Sequence, residues 1–355
     1  MRKMQDWKLR GKRVFVGLED AKRTWRLCVR SEKMLVDELG VPAQTENLLA
    51  YLRHQYPECE VTVIYEAGFH GFWLHDELVA AGYRCVVTPP HLVREAKVNK
   101  VKTDKGDARR LAQMLESGDY QACHIPSRER REDRQLSRTL SDVQEDIVRT
   151  KNRVRRFLEF HGLDQGLKAG AWNKSNYEQV WLMLPTLSEP LQKSLEVYQH
   201  ILTSLEESQK ALLAQLKALK ECSRYRRAVE LKASCPGVGW LSAIRFTLEW
   251  GDLSRFASGK PLAHYLGLTP GEYSSGETRA VGHITGQGSP QVRAWLIQCA
   301  WRAIRLDPVL LAKFLAVSAH SKSKKKAIVA VARKLALRLR AVELSGQPYE
   351  IGVVQ

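Results

Sequence analysis

Apolar and polar positions in the first third of the chain switch repeatedly between a period of two and a period near 3.6. Residues 14–18 (VFVGL) and 25–29 (WRLCV) are short apolar runs on either side of a charged turn, the pattern of a hairpin. Residues 46–56 carry Leu48, Leu49 and Leu52 at helical spacing. Residues 61–66 (VTVIYE) form a β-branched strand, residues 72–82 (FWLHDELVAAG) a helix, and residues 83–90 (YRCVVTPP) a strand stopped by two prolines. A hairpin followed by alternating helix and strand predicts an α/β layer.

The middle third differs in kind. Leu136, Leu140, Val143, Ile147, Thr150, Val154, Phe157 and His161 alternate four and three residues apart, a heptad seam. A second seam keeps that alternation through Leu191, Leu195, Tyr198, Leu202, Leu205, Gln209, Leu212, Leu216 and Leu219. The glycine-rich connection at residues 162–176 lets the two fold back on one another. An antiparallel coiled-coil arm is therefore expected at residues 126–225, between domains at 1–125 and 226–355, and such an arm is a natural contact for self-association.

The last third opens with CPGVGWLSA at residues 235–243. Gly237 and Gly239 stand between two helical stretches, as in a helix-hairpin-helix turn whose exposed N–H groups can hold a phosphate; an ordinary interhelical turn has the same pattern. A long polar loop, TPGEYSSGETRAVGHITGQGS, follows at residues 269–289. Helices are predicted at 290–305 and, after SKSKKK, at 327–342.

Charge sharpens this outline. The 355 residues carry a formal +17, and residues 226–355 alone hold 19 Lys+Arg against 8 Asp+Glu, an excess of 11. That concentration suggests a polyanionic partner, because Lys and Arg that neutralise phosphates release counterions. The seven cysteines are scattered and never spaced as CxxC, which argues against a disulfide framework and a zinc site. No apolar run approaches a membrane span and the first residues lack a signal core, so a cytoplasmic protein without membrane contact is expected.

Acidic residues supply the candidate chemistry. In NKVKTDKGDARRLAQML, residues 99–115, Asp104 and Asp107 are three apart and share one face if the stretch is helical, with Thr103 as a cap. Glu19 ends the first strand and Glu66 ends VTVIYE. In an RNase H-like layer those strands lie side by side and a later helix packs on them, bringing four carboxylates to one spot. Such a cluster repels itself unless a hard cation neutralises it, and Mg²⁺ takes oxygen ligands of this kind. A simple solvated helix start, its acids paired with Lys105, Arg109 and Arg110, is the plainer reading of the aspartates alone.

The stretches VGLEDAK, YEAGFHGFWL, VKTDKGDARRLA, CPGVGWLSA, YLGLTPGEYSSGETRAVGHIT and VRAWLIQCAW together resemble the DEDD transposases of the insertion-sequence-110 family, which includes the Piv DNA invertases. The resemblance runs from about residue 14 to residue 342. It implies an α/β plus α chain: a RuvC-like (RNase H-like) domain, a coiled-coil arm and a mainly helical transposase domain bearing a serine. It implies a DNA recombinase guided by a structured bridge RNA that pairs with donor and target double-stranded DNA, working as a homo-oligomer, a dimer or a dimer of dimers. Guided recognition leaves the protein to read backbone shape while base pairing reads sequence.

Carried over to these positions, the Mg²⁺ ligands are Glu19, Glu66, Asp104 and Asp107, and the nucleophile is Ser275, with Ser274 its neighbour. Nucleic-acid contacts are expected from Lys102, Arg109, Arg110, Gly237, Gly239, Arg279, Arg293, Lys324, Lys325 and Lys326. His283 near the serine is read as a surface residue. Glu19 departs from the family, which usually carries aspartate there, and Asp20 faces the other side of the strand. A metal-dependent nuclease or resolvase without a covalent intermediate, and a catalytically impaired nucleic-acid-binding relative, are the competing readings.

Overall fold

The computed structural model describes residues 9–68, 70–90, 104–165, 167, 174–275 and 278–352, and within these the side chains of 104–105, 174–175 and 272–281 lie outside the description. The chain divides into two compact units, Met1–Ile125 and Pro126–Gln355.

The first unit is built on one mixed sheet of five strands: β1 (Arg13–Asp20), β2 (Thr24–Ser31), β3 (Met34–Pro42), β4 (Glu60–Glu66) and β5 (Arg84–Thr88), in the order β3-β2-β1-β4-β5. The β1–β2 and β2–β3 pairs are antiparallel; β1–β4 and β4–β5 are parallel. The expected hairpin is therefore extended by β3, which the sequence pattern did not announce. Its residues are mostly half-buried, and it carries Asp37, Glu38 and Gly40 in place of a clean alternation. One face of the sheet, with Val14, Val16, Leu18, Trp25, Val61, Val63 and Tyr65, packs against α1 (Thr45–Gln55) and α2 (Trp73–Ala80) through Leu48, Leu52, Leu74 and Leu78. Full burial of side chains of this size contributes about 1.5–3 kcal/mol each. The other face receives α3 (Asp104–Ser117), whose Ala108, Leu111, Ala112 and Leu115 are buried on it.

Among its described residues the second unit has helices and a single β-hairpin. Its two 33-residue helices, α4 (Arg128–Phe160) and α6 (Glu189–Glu221), run antiparallel: Leu140 shares a core with Leu216, Lys151 pairs with Glu206 at 3.2 Å, and Val154 and Leu158 share a core with Leu195 and Leu202. The connection holds a further helix, α5 (Lys174–Leu182). Of the predicted seam positions, Leu140, Ile147, Thr150 and Val154 on α4 and Leu195, Leu202 and Leu216 on α6 are buried.

Around the near ends of these helices pack α7 (Arg226–Ala233), α8 (Trp240–Trp250), α9 (Gly259–Tyr265), α10 (Pro290–Ala303), α11 (Pro308–Ser321) and α12 (Lys324–Ser345). Arg138 on α4 donates through Nε and Nη2 to Glu249 of α8 at 2.9 and 3.1 Å. Arg245 of α8 lies over the Trp295 ring, 4.6 Å from its centre, and donates to Gln144 Oε1 at 3.0 Å; burial lowers its pKa to about 10. The predicted long loop is mainly a hairpin, β6 (Pro270–Ser275) and β7 (Thr278–Ile284). Helix α12 begins at Lys324, so the lysine run forms its first turn. No helix among the described residues is long and apolar enough to cross a membrane, and all seven cysteines are free.

Candidate active site and nucleic-acid contacts

Strand alternation decides which acids can meet. Even-numbered residues of β1 face the core of α1 and α2, and Gly17 faces α3: a Cβ there would stand 2.1 Å from Ala108 O and 2.4 Å from Ala112 N. Glycine inside a strand marks such a close backbone approach. Glu19, two residues on, shares the face of Gly17. In the β1–β4 register Leu18 pairs with Tyr65, so Glu19 and Glu66 follow at the same level of neighbouring strands.

The direction of α3 completes the frame. Its C-terminal Glu116 accepts from Arg30 Nε at 2.7 Å and from the Lys33 backbone N–H at 2.6 Å, beside the start of β1. The helix therefore runs antiparallel to β1, with its first residues at the Glu19 end. Glu19 lies about 7 Å past Gly17 along the strand, and Asp104 lies about 6 Å before Ala108 along the helix axis. Two strand ends and one helix start thus gather at one end of one face. Asp107 is half-buried there; the side chain of Asp104 lies outside the described residues. Among the described residues no three His, Cys, Asp or Glu side chains close into a metal-binding group. The donor set nonetheless suits a hard cation, being carboxylate oxygen throughout. Thr88 on β5, paired with Glu66, adds a fully buried hydroxyl on the same face with no hydrogen-bond partner among the described residues.

The basic residues fall into distinct settings. Arg109 forms a bidentate pair with Glu38 of β3, which raises its pKa and ties α3 to the sheet edge. Arg110 lines a cleft with Gln113, Ser117, Asp119, Tyr120 and Gln121. Lys102 lies outside the described residues.

In the second unit Gly237 (φ +79°) sits where a Cβ would stand 2.5 Å from Cys299 O of α10, which seats the 235–239 turn on that helix. Gly239 is the N-cap of α8 and supplies no side-chain cap to the first N–H groups of that helix, groups of the kind that can hold an anion. Exposed Trp240 stands beside them. Lys324, Lys325 and Lys326 are exposed in the first turn of α12, where Ser323 Oγ accepts from the Lys326 N–H at 3.3 Å. Three cations at the positive end of a helix dipole do nothing for the helix itself.

Ser275 ends β6 and pairs with Thr278, and Ser274 pairs with Arg279; their side chains lie outside the described residues. His283 is exposed. Arg293 on α10 donates from Nη1 to backbone carbonyls of Leu266 and Gly288 at 3.4 and 3.3 Å, and to that of Gln287.

Sequence reasoning missed several of these features. Gly17 was signalled by its place inside a strand; the carbonyl partners of Arg293 left no signal.

Residues 16–162 match a DEDD transposase profile of the IS110 type, and residues 229–315 match the profile described as transposase IS116/IS110/IS902 family. The transposase for insertion sequence element IS1533 of Leptospira borgpetersenii is 24% identical over 95% of this chain and 97% of its own length. Protein y4qE of Sinorhizobium fredii is 27% identical over 91% and 86%. The transposase for insertion sequence element IS1111A of Coxiella burnetii is 24% identical over 86% and 80%. With two profiles matched in order along the chain and relatives aligned with most of its length, this protein belongs to the IS110 family of transposases.

Proposed function

We propose that this transposase is an RNA-guided DNA recombinase that cleaves and rejoins strands through a phosphoserine intermediate on Ser275. The observation that carries the metal half of this reading is the gathering of Glu19, Glu66 and the start of α3 at one end of one sheet face. The strand order and mixed directions of that sheet support a RuvC-like reading of the first unit. DNA is its partner as a transposase; the surplus of basic charge in residues 226–355 supports a bridge RNA beside donor and target DNA. The paired α4 and α6 support an arm for a homodimer, or a dimer of dimers on DNA. The domain division 1–125, 126–225 and 226–355 belongs to this reading.

Glu19, Glu66, Asp104 and Asp107 would hold Mg²⁺, which supplies positive charge against the oxygens of the scissile phosphate. The chain's own groups carry the exchange. The Ser275 hydroxyl loses its proton to a base and its oxygen bonds to phosphorus; the departing deoxyribose oxygen takes up a proton as its P–O bond breaks. Attack by a second deoxyribose hydroxyl reverses the step and frees the serine. One P–O bond forms for each that breaks, so joining needs no added energy source. Gly237, Gly239, Arg110, Arg279, Lys102, Lys324, Lys325 and Lys326 grip phosphates, and Arg109 orders the helix that bears the aspartates.

A suicide substrate nicked near the crossover tests this. Wild-type protein should give a denaturation-resistant adduct on Ser275. Ser275→Ala should lose adduct and recombination, and Ser274→Ala should retain adduct. Asp107→Ala should lose strand exchange while keeping fold and RNA binding. Mg²⁺-dependent cleavage without adduct identifies the hydrolytic nuclease instead, and no cleavage at all identifies the impaired relative that Glu19 would favour.

A further inference from the structure

The β6–β7 hairpin is a two-stranded sheet, so its direction is set at its base. There the Thr285 N–H donates to Thr269 O at 2.8 Å and the Gly286 N–H to Gly267 O at 3.3 Å. The two limbs are in backbone contact. A Cβ on Gly267 (φ +66°) would stand 2.2 Å from Gln287 O, and one on Gly288 (φ +69°) 2.3 Å from Tyr265 O. Arg293 closes this junction from the first turn of α10: a single guanidinium nitrogen serves Leu266 O on the entering limb and Gln287 and Gly288 O on the leaving limb. Carbonyls repel one another when brought this close, and a shared cationic donor stabilises their convergence.

The same helix seats the 235–239 turn farther along, where Gly237 meets Cys299 and Ala303. Arg293 lies six to ten residues before that contact, about 9–15 Å along a helix. One rigid element therefore carries both the turn proposed above to hold phosphate and the base of the serine hairpin.

We infer that Arg293 is a positioning residue: it locks the hairpin that carries Ser275 onto α10, at a set distance from the phosphate grip at Gly237 and Gly239, and is not itself a phosphate ligand. The inference rests on the serine reading above. Its test compares wild type, Arg293→Ala and Arg293→Gln as full-length protein, in three measurements: amide exchange, DNA affinity across a salt series, and the rate of adduct formation on the nicked substrate at saturating DNA. In Arg293→Ala the Thr285 and Gly286 amides should exchange at least about tenfold faster, with α12 unchanged, and the saturated adduct rate should fall about 10–100-fold, the scale of an ångström-sized misplacement. Affinity and its salt dependence should stay as in wild type. Arg293→Gln, which keeps donors but no charge, should recover part of the protection and part of the rate.

Unchanged exchange at Thr285 and Gly286 in folded variants overturns the lock. So does a loss of affinity in both variants with the log–log salt slope smaller by about one and the saturated rate unchanged, the signature of a phosphate contact. If wild type forms no adduct, the serine reading fails and the catalytic half of this inference with it, while amide exchange still decides the lock.

Discussion

Glu19 and Asp20 are neighbours on β1 and serve opposite faces of the sheet. Asp20 is only 8% exposed, and its Oδ2 lies 2.7 Å from Nδ1 of His70, against the rings of Trp25 and Trp73. Burial raises its pKa, partly offset by the histidine. Glu19 instead shares the α3 face with Gly17. Asp20 is thus engaged on the face of the sheet opposite Glu19.

Glu19→Asp is accordingly expected to keep or raise strand exchange, and Glu19→Ala to abolish it. Asp20→Ala should cost about 1–3 kcal/mol in urea unfolding, since it removes a buried hydrogen bond to His70, and should leave the Mg²⁺ dependence of exchange unchanged. Exchange lost at an unchanged unfolding midpoint would move the metal role to Asp20.

Gly17→Ala tests how closely α3 must approach. The added Cβ meets backbone atoms of two successive turns of α3, which no side-chain adjustment relieves. The variant should lose about 1–3 kcal/mol, the usual scale of overpacking, and strand exchange should fall further than that stability loss explains because the aspartates ride on the displaced helix. Wild-type exchange by a folded Gly17→Ala protein would contradict the frame proposed for the four acids.

Asp307, buried in the second unit, accepts hydrogen bonds from four donors. Its Oδ1 caps α11 by accepting from the Val309 and Leu310 N–H groups at 2.8 and 3.2 Å, and its Oδ2 accepts from Arg338 at 2.7 Å and from the Tyr349 hydroxyl at 2.5 Å. Burial pushes its pKa up, but those donors and the Arg338 charge together hold it below the ordinary carboxylate value. A folded-state value below the unfolded one, about 3.9, gives stability that is present above that pH and is lost as pH falls through the folded value. Urea midpoints should therefore drop on acidification below about pH 4, and less so in Asp307→Asn. Asp307→Ala should cost about 3–5 kcal/mol at pH 7 by leaving the buried Arg338 uncompensated; a loss below 1 kcal/mol would remove the site's structural importance.

The protein should co-purify with a structured RNA, because its basic surplus accompanies no recognisable base-reading element. Binding of target DNA should weaken steeply with salt and lose its sequence preference after nuclease digestion. Unchanged ultraviolet absorbance, mass and target preference after digestion would argue against RNA guidance.

Elements with a strong period were legible because burial imposes the period. The β-branched run at residues 61–66 and the two heptad seams reappear within β4, α4 and α6. The edge strand β3 was not, since half-exposed positions need no apolar alternation, and its turn uses Glu32 and Lys33 at positive φ in place of the usual glycine or asparagine. The polar segment 269–289 folded as a hairpin because backbone pairing of Ser274 with Arg279 and Ser275 with Thr278, which no side-chain pattern advertises, satisfies its N–H and C=O groups. Helix α11 went unpredicted as well, although its Asp307-Pro308 start is an ordinary cap.

By itself the sequence determined the kinds of chemistry available: four acids at strand ends and a helix start, a serine in a polar stretch, and basic residues crowded into the last third. Those follow from residue identity and local spacing. Only the tertiary structure decided which residues meet. The β1–β4 register brings Glu19 level with Glu66, the bare Gly17 lets α3 descend onto the sheet with its aspartate end toward Glu19, and Arg293 turns from an available cation into a donor to three carbonyls. Such meetings depend on backbone approach and on partners far apart in the chain, and neither leaves a periodic trace in the order of side chains.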